Sequence, residues 1–298
     1  MRPFIIGTRN SALALAQTRL FEAAVKAAFP EVAVEVREIT TIGDQRLDLS
    51  LTDAAGKLDK GLFTKELEEA LLDGRIDAAV HSLKDLPTML PNGLELACVL
   101  PRANADDWLI SKVPGGFAGL PKGAKVASSS ARRQLQLKSR RADLEIVEIR
   151  GNVATRLRKL GENPDWSATV LAAAGLERLG LVSEGKITSE SHCFHVSNLT
   201  PEVTLPAVGQ GAIGIEVRSG ASEHEVILQT LNHLPTWESV TMERALLRAL
   251  GGGCQMPLGV RSYQVDNEWM LEAVLHRDGK ESLASGRDIE DLVAQLLT

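Results

Sequence analysis

The stretch Phe4-Ile5-Ile6-Gly7-Thr8-Arg9-Asn10-Ser11-Ala12 decides the fold, because it has a counterpart in Lys125-Val126-Ala127-Ser128-Ser129-Ser130-Ala131-Arg132. Each reads as a short apolar strand, a hydroxyl-rich turn and the start of a helix, with Ser11 placed as an N-cap. Outward from the first copy, the Ala- and Leu-rich run to Phe29 predicts a helix stopped at Pro30. Val32–Ile39 alternates apolar and polar residues, the pattern of a half-buried strand. A loop through Gly43-Asp44 and Gly56-Lys57, a helix over Phe63–Leu72 closed at Gly74 and a strand over Ile76–Leu83 follow. From the second copy the same order recurs, with a helix from Ala131, a strand over Leu144–Ile149, a helix over Val153–Leu160 and a strand over Ala168–Ala173. Two such βαβαβ halves predict an α/β protein with paired domains facing a cleft.

The chain crosses between these halves twice, at Pro101–Asn104 and Pro206–Gly211, and Ala212–Val217 is a strand returning to the first. The predicted domains are therefore 1–100 with 212–231 returning, 105–205, and a C-terminal α+β domain over 235–298. That last domain has a helix over Val240–Leu250, a Gly-rich loop, strands around Val260 and Met270–Leu275 and a final helix from Asp288, with an antiparallel sheet expected.

Composition narrows the function. The 298 residues carry 33 basic and 39 acidic side chains, a formal charge of −6, which gives no general attraction to nucleic acid or anionic membrane. Aromatic residues are 4%, too few for a base-stacking surface. No apolar run nears the ~20 residues of a membrane span. Met1–Thr8 reads as a strand rather than a signal peptide, and the scattered Cys98, Cys193 and Cys254 fit a reducing compartment. A cytoplasmic protein is expected, or an organellar one if a transit peptide has been removed.

Against that acidic background, Lys122–Lys159 holds eleven Lys/Arg and three Asp/Glu. Arg132 and Arg133 fall in the first turn of a helix, where a cation opposes the helix dipole and folding alone does not select it. Arg150 ends a strand and Arg156 lies one turn into the next helix. Guanidinium forks at strand ends and helix starts suit a small polyanion, although a solvated basic face gives the same pattern. Ser82-Leu83-Lys84-Asp85-Leu86-Pro87 places Lys84 and Asp85 just past a buried strand, the ligand edge of an α/β sheet, or simply as an exposed pair on a loop.

Gly251-Gly252-Gly253-Cys254-Gln255-Met256-Pro257 strips side chains from around Cys254, leaving an accessible thiolate or covalent anchor, or a helix-ending turn with an incidental cysteine. His192-Cys193-Phe194-His195 lacks the spaced partners of a zinc site, so no metal is expected. His81-Ser82 lacks the acid of a triad, and there is no P-loop.

These residues together resemble the porphobilinogen deaminase (hydroxymethylbilane synthase) family. The resemblance runs through Thr8–Ser11, Gly61–Leu67, His81–Pro87, Ser129–Gln134, Arg150–Val153, Leu205–Gly211 and Gly252–Gln255, in that order. It implies two similar periplasmic-binding-protein type II-like domains around a cleft, plus the small C-terminal α+β domain. It implies a covalent dipyrromethane cofactor on Cys254 through a thioether, built from porphobilinogen itself, and Asp85 as the catalytic carboxylate. Asp85 would stabilise positive charge as porphobilinogen loses ammonia to an azafulvene-like electrophile, until four units are joined and water releases the linear tetrapyrrole.

The resemblance also implies cofactor binding by Lys84, Ser82, Asp44, Ser128, Ser129, Ser130, Arg132, Arg133, Arg150 and Gln210. Substrate binding would fall to Arg9, Ser11, Gln17, Lys60, Phe63, Arg156 and Arg178. Acetate and propionate arms make the growing chain strongly anionic, which agrees with the basic segment. Departures from the family pattern are Ala12 and Ala131 where Pro and Leu are usual, Ser128 where Thr is common, and Lys57 displaced by one position. A monomer is the family expectation. The competing class is a non-catalytic two-domain protein that binds or senses a small anion. A nucleic-acid binder conflicts with the charge.

Overall fold

The structure is a computed structural model and describes residues 2–41, 64–220, 224–253 and 255–298. Gly43, Asp44, Gly56, Lys57, Lys60, Phe63 and Cys254 lie outside the described residues. The chain forms two compact units, Met1–Ala103 with Ala212–Glu238 and Asn104–Gly211 with Ser239–Thr298.

In chain order the first unit begins with β1 (Phe4–Arg9), α1 (Ala12–Ala28), β2 (Val34–Ile39), α2 (Lys65–Leu72), β3 (Ala78–Ser82), a 3-10 turn (Leu83–Asp85) and β4 (Leu94–Val99). The second contributes β5 (Asp107–Ser111), β6 (Lys125–Ala127), α3 (Ala131–Arg140), β7 (Glu145–Val147), α4 (Val153–Glu162), β8 (Trp166–Ala172), α5 (Ala173–Arg178), β9 (Lys186–Ser189) and β10 (His192–Leu199). Next, β11 (Ile213–Arg218) and α6 (Glu225–Leu231) return to the first unit, and α7 (Leu234–Ala249) follows. The chain closes with β12 (Leu258–Val265), β13 (Glu268–Arg277), β14 (Lys280–Gly286) and α8 (Ile289–Leu297).

The internal repeat is visible in the sheets. The first has strand order β2-β1-β3-β11-β4 and the second β7-β6-β8-β5-β10, with β9 added at the edge. In each, three parallel strands are followed by one antiparallel strand, β11 on β3 and β5 on β8, supplied by the chain just after it crosses over. This is the paired α/β architecture expected of type II periplasmic-binding-protein-like domains.

Alternation along each strand covers both faces of its sheet. Phe4 and Ile6 join Phe21 and Val25 of α1, whereas Ile5 joins Leu67 and Leu71 of α2. Each such large side chain, fully buried, stabilises the fold by about 1.5–3 kcal/mol. In the second unit Val126 and Val170 pack with Leu137 of α3, and Ile110 and Leu171 with Leu157 and Leu160 of α4. The strands β12-β13-β14 form the expected antiparallel sheet, covered by Leu246 and Leu247 of α7 and Leu292 and Leu296 of α8.

Element ends differ from the sequence reading in physically specific ways. The helix read from Val240 starts at Leu234, because Pro235 lies in its first turn, where a missing N–H costs no hydrogen bond. Leu83 leaves the strand for the 3-10 turn, and Ala173 opens α5 instead of ending a strand. The His192–His195 segment is part of β10, paired with β9 and β5. Its pleat buries Phe194, exposes Cys193 and leaves His192 stacked on Phe194.

Candidate active site

Each unit carries its polar residues at the carboxyl edge of its parallel strands, where α/β sheets bind ligands. In the first unit β1 and β3 run parallel, so Arg9 and Ser82–Asp85 leave the sheet at the same edge. The turn after β3 is pinned by its apolar members: Leu83 and Leu86 are buried, Leu83 N–H donates to the Ala212 carbonyl and Leu86 N–H to that of Leu83. Between these anchors Lys84 is half-buried and Asp85 is exposed. Asp85 has no hydrogen bond or ion pair among the described residues. A fixed backbone thus presents an uncommitted carboxylate.

Two other predicted residues of this unit bond to each other. The Gln17 amide, itself buried, is 2.8 Å through Nε2 and 3.1 Å through Oε1 from Ser82 Oγ, tying α1 to the end of β3. Ser11 Oγ accepts the Ala14 N–H as the N-cap of α1, as its position predicts. Behind the turn, buried His81 lies 2.9 Å through Nε2 from Oε2 of fully buried Glu216, whose Oε1 has no hydrogen-bond partner among the described residues. Burial raises the pKa of neighbouring Glu68, and the Glu216 charge adds to that rise.

In the second unit the turn after β6 is similarly knitted together. Ser129 Oγ donates to the Ile149 carbonyl at 2.8 Å and accepts its N–H at 3.0 Å, joining the ends of β6 and β7. Ser128 Oγ accepts the Ser130 N–H, and Ser130 is the N-cap residue of α3 without a side-chain cap bond. Arg150 follows β7, which is parallel to β6, and so reaches the same edge. Gly151 lets the chain turn there: its φ is +116°, and a Cβ would lie 2.5 Å from Thr155 Cγ2. Arg156 Nε donates to the Gly151 carbonyl at 2.7 Å.

Arg132 and Arg133 are buried, and the reason lies in a residue the sequence reading did not select. β5 runs antiparallel to β8, so its first residue, Asp107, sits at the edge where the parallel strands end. Its fully buried carboxylate accepts Arg132 Nη1 at 2.7 Å, Arg133 Nε and Nη2 at 3.1 and 2.7 Å, and Gln210 Nε2 at 2.9 Å. Burial alone would raise the Asp107 pKa, but the two guanidiniums outweigh it and hold the carboxyl well below the usual range. An internal counter-ion thus accounts for part of what placed cations in this first turn. Gln210 is held between Gly209 and Gly211, both in the left-handed region, and Glu243 of α7 accepts the Gly209 N–H. Arg178 Nη2 donates to the Gly211 carbonyl at 2.6 Å, and burial lowers its pKa.

The basic groups of this unit have donors to spare. Arg132 uses only Nη1, for Asp107 and the Leu205 carbonyl, and its Nε and Nη2 donate to nothing among the described residues. Arg150 Nε is buried with no hydrogen-bond partner among the described residues, and its Nη2 is 3.7 Å from Glu148. Unspent guanidinium donors and two buried cations sharing one carboxylate fit a group bearing several carboxylates.

The chain's similarities agree with this chemistry. Residues 4–226 match the family described as porphobilinogen deaminase, dipyromethane cofactor binding domain, and residues 237–292 match the porphobilinogen deaminase C-terminal domain. The chain is 43% identical over 283 residues to the porphobilinogen deaminase of Syntrophobacter fumaroxidans, covering 95% of this chain and 87% of that one. It is 46% identical over 277 residues to that of a Roseiflexus species (93% and 87% covered), and 43% over 286 residues to that of Chromobacterium violaceum (96% and 88%). A solved structure similar to it is the methionine binding protein MetQ, with a TM-score of 0.42 at 14% identity over 81% of this chain and 94% of that one. With both of its segments matched and relatives of this identity along nearly its whole length, the chain belongs to the porphobilinogen deaminase family.

Proposed function

We propose that this chain joins four porphobilinogen molecules head to tail, with loss of ammonia, onto a dipyrromethane primer bound to Cys254 by a thioether, and then releases the linear tetrapyrrole by hydrolysis. Like its family, it is a transferase. The observation that carries the assignment of roles is Asp85, an exposed carboxylate on a turn fixed by buried Leu83 and Leu86.

An ionised carboxylate so placed accepts a hydrogen bond from a pyrrole N–H and stabilises the positive charge that develops on the ring as ammonia departs. Lys84 beside it balances the acetate and propionate arms. The primer, when bound, supplies a free pyrrole α-carbon as the point of extension. Ser82, Asp44, Ser128, Ser129, Ser130, Arg132, Arg133, Arg150 and Gln210 hold that primer. Arg9, Ser11, Gln17, Lys60, Phe63, Arg156 and Arg178 hold incoming substrate and the lengthening product. The internally bonded Ser129 and Gln17 serve by fixing the turns that carry their neighbours. We further place the protein in the cytoplasm as a monomer of three domains, 1–100 with 212–231, 105–205 and 235–298, acting on small molecules without nucleic-acid or membrane partners.

The test supplies porphobilinogen to the purified protein and follows ammonia release and the porphyrin formed when the linear product closes. Both should appear for the natural sequence and fall by about a thousandfold or more in Asp85→Asn, with the folded state unchanged. Binding of porphobilinogen without ammonia release would instead identify a small-anion binding protein. Near-normal turnover in Asp85→Asn would remove Asp85 from the mechanism.

A further inference from the structure

Among the described residues, Asp107 is the one on which Arg132, Arg133 and Gln210 meet. It lies fully buried at the start of β5, with one oxygen taking Arg132 and the other taking Arg133 and Gln210. Both oxygens are therefore spent inside the protein. The rest of the arrangement supports the same geometry: Arg133 Nη1 donates to the Val170 carbonyl and Arg132 Nη1 to that of Leu205. What the described residues leave unused is Arg132 Nε and Nη2, together with one positive charge in excess.

A long cation left alone would either turn toward water or repel its neighbour. We propose that Asp107 is a positioning residue of the anion site, a group that does not touch the ligand but fixes Arg132, Arg133 and Gln210 in one constellation and halves their charge. The proposal rests on the function given above, since the ligand carboxylates are those of the pyrrole arms. Removal of the carboxylate should leave two adjacent guanidiniums uncompensated and free to separate. Such a loss weakens recognition of the anion, not the chemistry at Asp85.

The experiment compares the natural protein with Asp107→Asn and Asp107→Glu, recording the fraction carrying a pyrrole adduct by intact mass, KM and kcat per loaded molecule, and the thermal midpoint. Asp107→Asn should lose most of the adduct, and its loaded fraction should show KM for porphobilinogen raised by about tenfold or more with kcat within about threefold. Asp107→Glu, which keeps the charge but shifts it, should load and show a smaller rise in KM. A purely structural role would lower the thermal midpoint and the active fraction while leaving KM unchanged. Unaltered loading and KM in a folded Asp107→Asn would overturn the proposal. If that variant does not fold, an unchanged KM in Asp107→Glu would overturn it equally. Absence of the adduct in the natural protein supplied with porphobilinogen would instead strike the functional reading itself.

Discussion

His81 holds Oε2 of Glu216 at 2.9 Å behind the turn that carries Asp85, and both side chains are buried. The contact links β3 to β11, the strand whose preceding residue, Ala212, accepts the Leu83 N–H. Glu216 Oε1 already lacks a partner among the described residues, so His81→Ala would leave the carboxylate with none of them. Breaking a buried pair in this way should cost roughly 3 kcal/mol or more, read from denaturant unfolding. Replacing both residues with leucine should recover much of that loss. A cost below about 1 kcal/mol for His81→Ala would show that the pair does not anchor the turn.

Arg150 presents the opposite situation, a buried Nε that no group among the described residues satisfies. Its replacement should therefore matter to the ligand more than to the fold. Arg150→Leu should raise KM for porphobilinogen, or reduce cofactor assembly, by about ten- to a hundredfold, the equivalent of one charge-assisted hydrogen bond. The unfolding free energy should change by less than about 1 kcal/mol. Steady-state kinetics and denaturant titration measure the two effects. A large stability loss with KM unchanged would assign Arg150 to the scaffold.

Acid should weaken the protein in two stages. His276 lies 2.9 Å from Glu281 and 3.0 Å from Ser139, with Arg140 on the far side of Glu281, and burial lowers its pKa despite that carboxylate. A neutral histidine favoured by folding contributes stability above its unfolded pKa of about 6.5, and this is lost as pH falls toward the depressed folded value. Asp107 and Asp77 are also depressed, so their contribution is present above the unfolded carboxylate pKa of about 3.9 and lost below it. Glu68, raised by burial, acts in the opposite sense and loses its contribution as pH rises through its folded value. Urea midpoints should fall between pH 7 and 5, by less in His276→Gln, and fall again below about pH 4. An identical slope for His276→Gln would remove His276 from the first stage.

Much of the architecture was legible because periodicity and punctuation agree. Ser11 caps α1, Pro30 lies just beyond its end, and the strand–turn–helix openings at Phe4 and Lys125 mark the centres of two sheets with matching strand order. Asp107 was not legible. Its partners Arg132, Arg133 and Gln210 are distant in sequence, and local pattern carries no record of an antiparallel strand returning to the same edge. A clue existed in Asp106-Asp107 opening the apolar run Trp108-Leu109-Ile110, since an acid starting a buried strand needs a partner. The resemblance implies ligand roles for the hydroxyls of Ser11 and Ser129, and their bonds to Ala14 and Ile149, which only the fold reveals, show that they also hold the backbone. Residue type reveals what a group can do, and only the fold reveals where its bonds are spent.

The central claim is that a primer made of substrate is covalently attached at Cys254 and extended. Its most direct test is the intact mass of the denatured protein before and after porphobilinogen is supplied, for the natural sequence and for Cys254→Ser. The natural protein should carry, or acquire, the mass of two condensed porphobilinogen units, and Cys254→Ser should show only the mass of its polypeptide. A natural protein whose mass never moves, or a Cys254→Ser protein that keeps the adduct, would contradict the account.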